Sequence, residues 1–411
     1  MIVLHPYRLL LGVPHAPALM AASLLGRLHT PAVALVLTFL IVDWTGSYTT
    51  GGLVAGVLTV GQGIAGPLRG RAADRSSAPR LLLVTGVLWA VGMLVVVLLA
   101  TRLDPALWWV VLPVALLTGL SHPPVTQVGR AIWPRLSGGA AREAAFAVEA
   151  TLQELLFIIA PMAAAFLVAF WGSAPAALVL AGCSVVGPAL FAAALLRAGL
   201  RAPLAGAGPV AGSAALFRVP GFAPMMLFAV LVVGGLITVD LVLVGWARER
   251  GTPELAGLLA GVWALGSLLG GLLVGGLRGP SRLGRRAALA AAGLVAIAPV
   301  LPPVADPASP WLVAAVLLVG GTAIAPTLAA VNGRLAGLVP QARHNEAFGW
   351  YASATMLGGA VASPLAGWAL DGAGPAAAAA LGGGLAVLGA VCVLHRALRG
   401  EPDATREAVL P

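Results

Sequence analysis

About a dozen runs in this 411-residue chain are almost free of charge, and at ~20 residues each they are long enough to cross a ~30 Å hydrocarbon core as helices. That pattern constrains the fold more than any motif does. Charged residues are 9% of the chain and hydrophobic ones 60%. A soluble domain is about a quarter charged. A larger buried core cannot absorb the difference, because a soluble core still needs a polar skin. The chain is solvated mainly by lipid. Twelve spans use ~240 residues, which leaves short connections and no room for a separate soluble domain.

All 24 basic residues are arginine. Twenty of them fall on alternate connections, three on the opposite ones (Arg102, Arg248, Arg250), and Arg27 lies inside the first span. This is the positive-inside distribution of a multi-pass protein. It predicts a cell (inner) membrane location with both termini cytoplasmic. The formal charge of +9 would suggest nucleic acid in a soluble protein; here it predicts contact with anionic membrane lipids instead. Cys183 and Cys392 fall inside apolar runs and read as small hydrophobes, not as a disulfide or metal site. Arg8 precedes an apolar segment without a clean small-residue cleavage site, so the N-terminus reads as uncleaved.

The predicted spans are 19–42, 50–68, 80–100, 108–129, 144–170 and 175–196 in the first half. In the second half they are 221–244, 255–277, 286–304, 311–331, 347–369 and 375–395. The two halves repeat. Residues 51–70 parallel 256–275; Pro124 and Pro326 are 202 apart, as are Ala145-Phe146 and Ala347-Phe348. Asp43 and Asp240 end spans 1 and 7 in matching places. The order and near-constant spacing predict an all-α integral membrane protein of twelve transmembrane helices in two pseudo-symmetric six-helix bundles. The bundles are 1–196 and 219–395, joined by a cytoplasmic connection 197–218 and followed by a cytoplasmic tail 396–411. A ligand path is expected where the bundles meet.

The connection after span 2 runs from Gly70 through Asp74 and Arg75 to Arg80. It resembles the G-x-x-x-D-R-x-G-x-[RK]-[RK] loop of the major facilitator superfamily. Gly70, Asp74 and Arg75 match; Ser77 replaces the second glycine, and Arg80 alone remains of the basic pair. The resemblance implies a gating loop that holds spans 2 and 3 to span 11 when the protein is open to the outside. Asp74 would then accept hydrogen bonds at the N-terminus of span 11, near Ala347 and Phe348. A generic positive-inside turn is the alternative. The equivalent loop of the second half has Gly279 where the acid should be, with Arg278, Arg282, Arg285 and Arg286 around it. An inner lock there needs an acid from elsewhere, and Glu143 paired with Arg282 or Arg285 is the pseudo-symmetric candidate. The antiporter motif of the superfamily's drug/proton exporters is reduced on span 5 to Pro161.

Ionisable groups inside spans are costly and mark function by default. Arg27 lies ~12 Å along span 1, and Glu149 and Glu154 lie ~8 and ~15 Å along span 5, so all three are at similar depth. Glu149 and Gln153 share a helix face. An Arg27–glutamate pair beside the path, with the second glutamate carrying a proton, is one reading; a static pair fixing span 1 to span 5 is the other. His122 and Gln127 on span 4 are candidates to line the path or to pack within it. Tyr351 corresponds to Glu149 at the 202 spacing and would stack on a ligand or pack between helices. Asp43 and Asp240 belong to the outer mouth, as gating acids or solvated helix ends.

Several motifs are excluded by context. GQGIAG (61–66) lies in a membrane helix, where small residues serve close packing better than dinucleotide binding. LSGG (136–139) would need a P-loop lysine to drive transport by ATP, and the chain has none. No metal-ligand spacing and no cofactor motif is present. The function expected is secondary active transport of a small organic solute by alternating access, as a monomer and not as an enzyme. Intramembrane carboxylates suit proton coupling, with sodium as the other candidate ion, and the few polar groups of the spans favour efflux of an amphipathic compound; metabolite uptake by symport, and a non-transporting sensor or scaffold, are the alternatives.

Overall fold

A computed structural model describes residues 5–200, 214–252, 254–275 and 282–398. Among these residues the secondary structure is helical throughout. Helices α1 (Ala16–Thr45), α2 (Tyr48–Arg75), α3 (Ala78–Arg102), α4 (Pro105–Leu136), α5 (Gly139–Trp171) and α6 (Ser173–Arg197) form the first bundle. Helices α7 (Phe222–Glu249), α8 (Glu254–Gly275), α9 (Leu283–Val300), α10 (Pro310–Leu338), α11 (344–373) and α12 (375–398) form the second. Eleven helical stretches are long and apolar enough to cross a membrane. The last of them, Gln341–Leu394, holds 54 residues, or ~80 Å of helix, more than two bilayer cores. Gly374, at φ +83°, followed by Pro375, divides it into α11 and α12. Only glycine takes this backbone conformation without strain.

Local chemistry sets the other ends. Gly46 closes α1 in the left-handed conformation. The Ser47 hydroxyl accepts the Thr50 N–H to open α2, and Pro79 stands in the first turn of α3. The Asp104 carboxylate accepts the Ala106 N–H and starts the 3₁₀ turn that leads into α4. Trp109, Trp171, Trp311 and Trp368 are exposed near ends of α4, α5, α10 and α11 that share one face of the molecule. They form the aromatic girdle that a membrane interface favours.

Two helices of the first bundle are broken at similar depth. α1 loses its regular turn at Arg27 and Leu28. α4 opens over Ser121-His122-Pro123-Pro124, because Pro124 has no N–H to return to the Leu120 carbonyl. The Arg69 guanidinium donates to that carbonyl instead.

The bundles meet mainly through α2 against α11 and α5 against α8. The first seam is built from small residues. A Cβ on Gly66 would lie 2.6 Å from the Gly349 carbonyl, and one on Gly70 would lie 2.1 Å from that of Asn345. The Ser353 hydroxyl donates to the Gly63 carbonyl. The GQGIAG run is therefore a packing device: Gly61 abuts α4 inside its own bundle, while Gly63 and Gly66 face α11. On the second seam Gly271 of α8 lies against Thr151 of α5.

The structure lengthens several predicted spans. α2 continues to Arg75, so Gly70, Asp74 and Arg75 ride on its last turns and not in a loop. α4 continues to Leu136, which carries Arg130 into the bundle and away from the inner mouth where its span boundary had put it. Residues 201–213, 276–281 and 399–411 lie outside the described residues, with Gly279 and most of the connection and tail among them.

Candidate functional site

The charged residues of α1, α4 and α5 converge on Glu149. Its Oε1 lies 2.8 Å from Arg27 Nη2 and 3.4 Å from Arg130 Nε. Its Oε2 accepts the Trp133 indole N–H at 2.8 Å. Arg27 also donates to Ser23 Oγ (2.7 Å) and to Gln153 Oε1 (3.2 Å). Exposures of 4, 9 and 5% for Arg27, Arg130 and Glu149 place all three charges inside the protein. The break in α1 at Arg27 brings this guanidinium to α5, and Gly129 makes the space for it. A Cβ there would stand 2.5 Å from Arg27 Nη2. The same cluster reaches the second bundle: the Arg130 guanidinium stands over the Tyr351 ring, 5.4 Å from its centroid. A small cavity borders the cluster, lined by Met20, Ser23, Leu24, Arg27, Trp133, Glu149 and Leu152.

A second polar layer closes the bundles together. Asp74 Oδ1 accepts the Asn345 side-chain amide (2.7 Å) and its backbone N–H (3.1 Å), and Oδ2 accepts the Glu346 N–H (2.8 Å). A carboxylate at a helix N-terminus complements the dipole there. Glu346, 1% exposed, pairs with Arg343 at 2.9 Å and with Arg71 at 3.9 Å. Gln341 donates to the Pro134 carbonyl at 3.4 Å. Arg135 shares a groove with Asp74, Gln341 and Asn345. Arg75 and Arg80 are exposed at the rim.

Other expected residues separate. His122 does not join the charged cluster; it packs in the first bundle, 5.3 Å from the His29 ring, with Nε2 3.4 Å from Thr30 Oγ1. Gln127 is buried. The Glu154 side chain lies outside the described residues. Asp43 accepts the Ser173 hydroxyl and Asp240 is exposed. The lock expected between Glu143 and Arg282 or Arg285 is not formed. Arg282 precedes the first turn of α9, and both it and Arg285 face outward. The second-bundle charge that acts on Glu143 is Arg286, whose guanidinium donates to the Pro326 carbonyl.

Sequence reasoning missed Ser23, Trp133 and Gly129, and it placed Arg130 at the membrane edge. The i,i+3 spacing of Arg130 and Trp133 on one face of a continued α4 was the available signal. It also missed Asn345 and Glu346. Glu346 is an acid on the arginine-rich side of the chain, where a buried counter-charge is the natural reading.

Two bundles of six helices are joined at a glycine seam below a buried charged cluster. Residues 225–410 match the family model described as Major Facilitator Superfamily. A bacterial homologue of the iron transporter ferroportin, solved in an outward-facing state, superposes over 93% of this chain and 98% of its own with TM-score 0.75 and 16% identity. The chain has the major facilitator fold. The proton:xylose symporter XylE gives TM-score 0.72 at 13% identity, over 92% of this chain and 95% of its own. The human organic anion transporter MFSD10 gives 0.63 at 19%, over 92% and 99%. At such identities the likeness is one of fold. No curated protein matches the sequence. Within the major facilitator fold the α2–α11 seam carries Asp74, and the charged cluster lies between α1, α4, α5 and α11. Among the described residues no group of three His, Cys, Asp or Glu side chains is placed to hold a metal ion.

Proposed function

We propose that the protein is a secondary active transporter that moves a small organic solute by alternating access, exporting an amphipathic compound in exchange for protons. The observation that carries this reading is the Arg27–Glu149–Arg130 cluster, buried at a helix break directly above the layer in which Asp74 ties the bundles together. Buried charge at membrane depth marks substrate and ion pathways, and discontinuous helices mark binding sites in transporters. In this reading the Asp74 layer is the inner gate, Asp43 and Asp240 flank the outer mouth, and the protein works as a monomer in the inner membrane with both termini cytoplasmic. Glu154 is the acid left for proton carriage, since Glu149 is held by two arginines. Uptake by proton symport is the second reading, favoured by the shared fold of the proton:xylose and fucose:proton symporters.

Proteoliposomes with an imposed pH gradient test the proposal. Solute flux should follow the gradient, and its sign relative to proton flow separates antiport from symport. Glu154→Gln should lose gradient-driven flux and keep solute exchange. If Glu154→Gln and Glu149→Gln both keep full gradient-driven flux, the coupling assignment is wrong.

A further inference from the structure

Among the described residues the buried cluster is one negative charge short. Two guanidiniums, Arg27 and Arg130, share the single carboxylate of Glu149. The Nε–H groups of both arginines are buried without a hydrogen-bond acceptor among the described residues. The other partners of Arg27 among the described residues, Ser23 Oγ and Gln153 Oε1, are neutral. The Tyr351 face offers Arg130 a quadrupole, not a counter-charge. An uncompensated cation at this depth is costly, so a site of this composition stabilises an incoming anion.

Position supports the same conclusion. Arg130 lies five residues above Arg135 on α4, ~7.5 Å, and Tyr351 six residues above Asn345 on α11, ~9 Å. The Arg130–Tyr351 contact thus joins the two bundles about one to two helical turns above the Asp74 layer. It also spans both bundles: Arg130 belongs to one and Tyr351 to the other. A ligand that engages Arg130 competes with Glu149 on one side and with the tyrosine ring on the other.

We infer that the transported solute is an amphipathic organic monoanion, a carboxylate or its equivalent. Its charge binds at Arg130 and Arg27 in place of or beside Glu149, and its apolar body lies toward Tyr351. This inference rests on the transporter reading for the fate of the solute, but not for its binding.

Three probes with one apolar body separate the charges: 4-phenylbutyrate, 4-phenylbutyramide and 4-phenylbutylamine. Each is titrated into the purified full-length protein while its melting temperature is followed. The carboxylate should raise the melting temperature, and the amide and amine should not. Arg130→Gln should weaken the carboxylate effect tenfold or more, with partial recovery in Arg130→Lys. Glu149→Gln, which removes the internal competitor, should enlarge it. A carboxylate effect that is absent in the native protein, matched by the amine or amide, or unchanged in Arg130→Gln overturns the inference. Counterflow of labelled 4-phenylbutyrate in proteoliposomes reads the transporter proposal separately. Arginine-dependent binding without counterflow defeats transport and keeps the anion site; counterflow of the amine in its place defeats the anion site and keeps transport.

Discussion

Asp74 of α2 accepts the backbone N–H of Glu346 across the bundle interface at 2.8 Å. The bond joins the end of one helix to the beginning of another in the opposite bundle, and it exists only while the two are together. An interaction made in one gating state and lost in the other biases the equilibrium between them.

Asp74→Asn removes the charge and keeps the shape. A carboxylate at a helix N-terminus contributes about 0.3–1 kcal/mol, so the closed inner gate should lose ~2- to 5-fold in population. Flux in proteoliposomes should slow while expression stays near normal. Unchanged flux would remove the gating role from this residue.

Gly70→Ala should act on the same gate by collision. The added Cβ meets the Asn345 carbonyl at 2.1 Å and Glu346 Cα at 2.8 Å, both backbone atoms. The seam would have to part. With Cys183 and Cys392 replaced, a cysteine at Ala342 should react several-fold faster with an impermeant maleimide in Gly70→Ala than in the parent. Gly138→Ala, where a Cβ meets open space, serves as the control. Equal rates in all three proteins would mean that the seam adapts without opening.

Glu149→Gln should destabilise the protein more than Arg27→Gln. The first change leaves two buried guanidiniums facing each other, at a cost of about 3–5 kcal/mol for a broken buried pair. The second leaves a Glu149–Arg130 pair in charge balance, now 3.4 Å apart. Melting temperatures in detergent give the order. The reverse order would show that Arg130 does not share the carboxylate.

Reporter fusions at residues 1 and 411 should both report the cytoplasm. Twelve spans return the chain to its starting side, and the arginine distribution selects that side. A cytoplasmic signal at only one end would require an odd number of spans.

Much of the architecture was legible because lipid imposes a simple rule. Apolar length counts the spans, with no need for side-chain detail. The half-repeat was legible through Pro124 and Pro326 for a related reason: a proline without an N–H leaves the same mark on each half. The Asp74 contact was anticipated from the resemblance of its motif, although it forms at Asn345 and Glu346, one to three residues before the positions named from sequence. The helical form of the motif was not legible, since its arginines read as a loop, whereas α2 stays helical through Arg75.

Composition and spacing by themselves determined a twelve-span protein in two halves and a buried arginine at the depth of an acid on α5. They could not decide which charges share a carboxylate. That depends on where α1 breaks, on how far α4 runs past its apolar stretch, and on a glycine at 129 that admits Arg27. Each is a matter of a few ångströms between helices far apart in sequence. Tertiary packing alone brought Arg130 inward beside Glu149 and under Tyr351, and it turned Arg282 and Arg285 away from Glu143. The physical reason is that a helix end charged on every side can face lipid headgroups or the bundle interior at similar local cost. Only the neighbouring helices select between them.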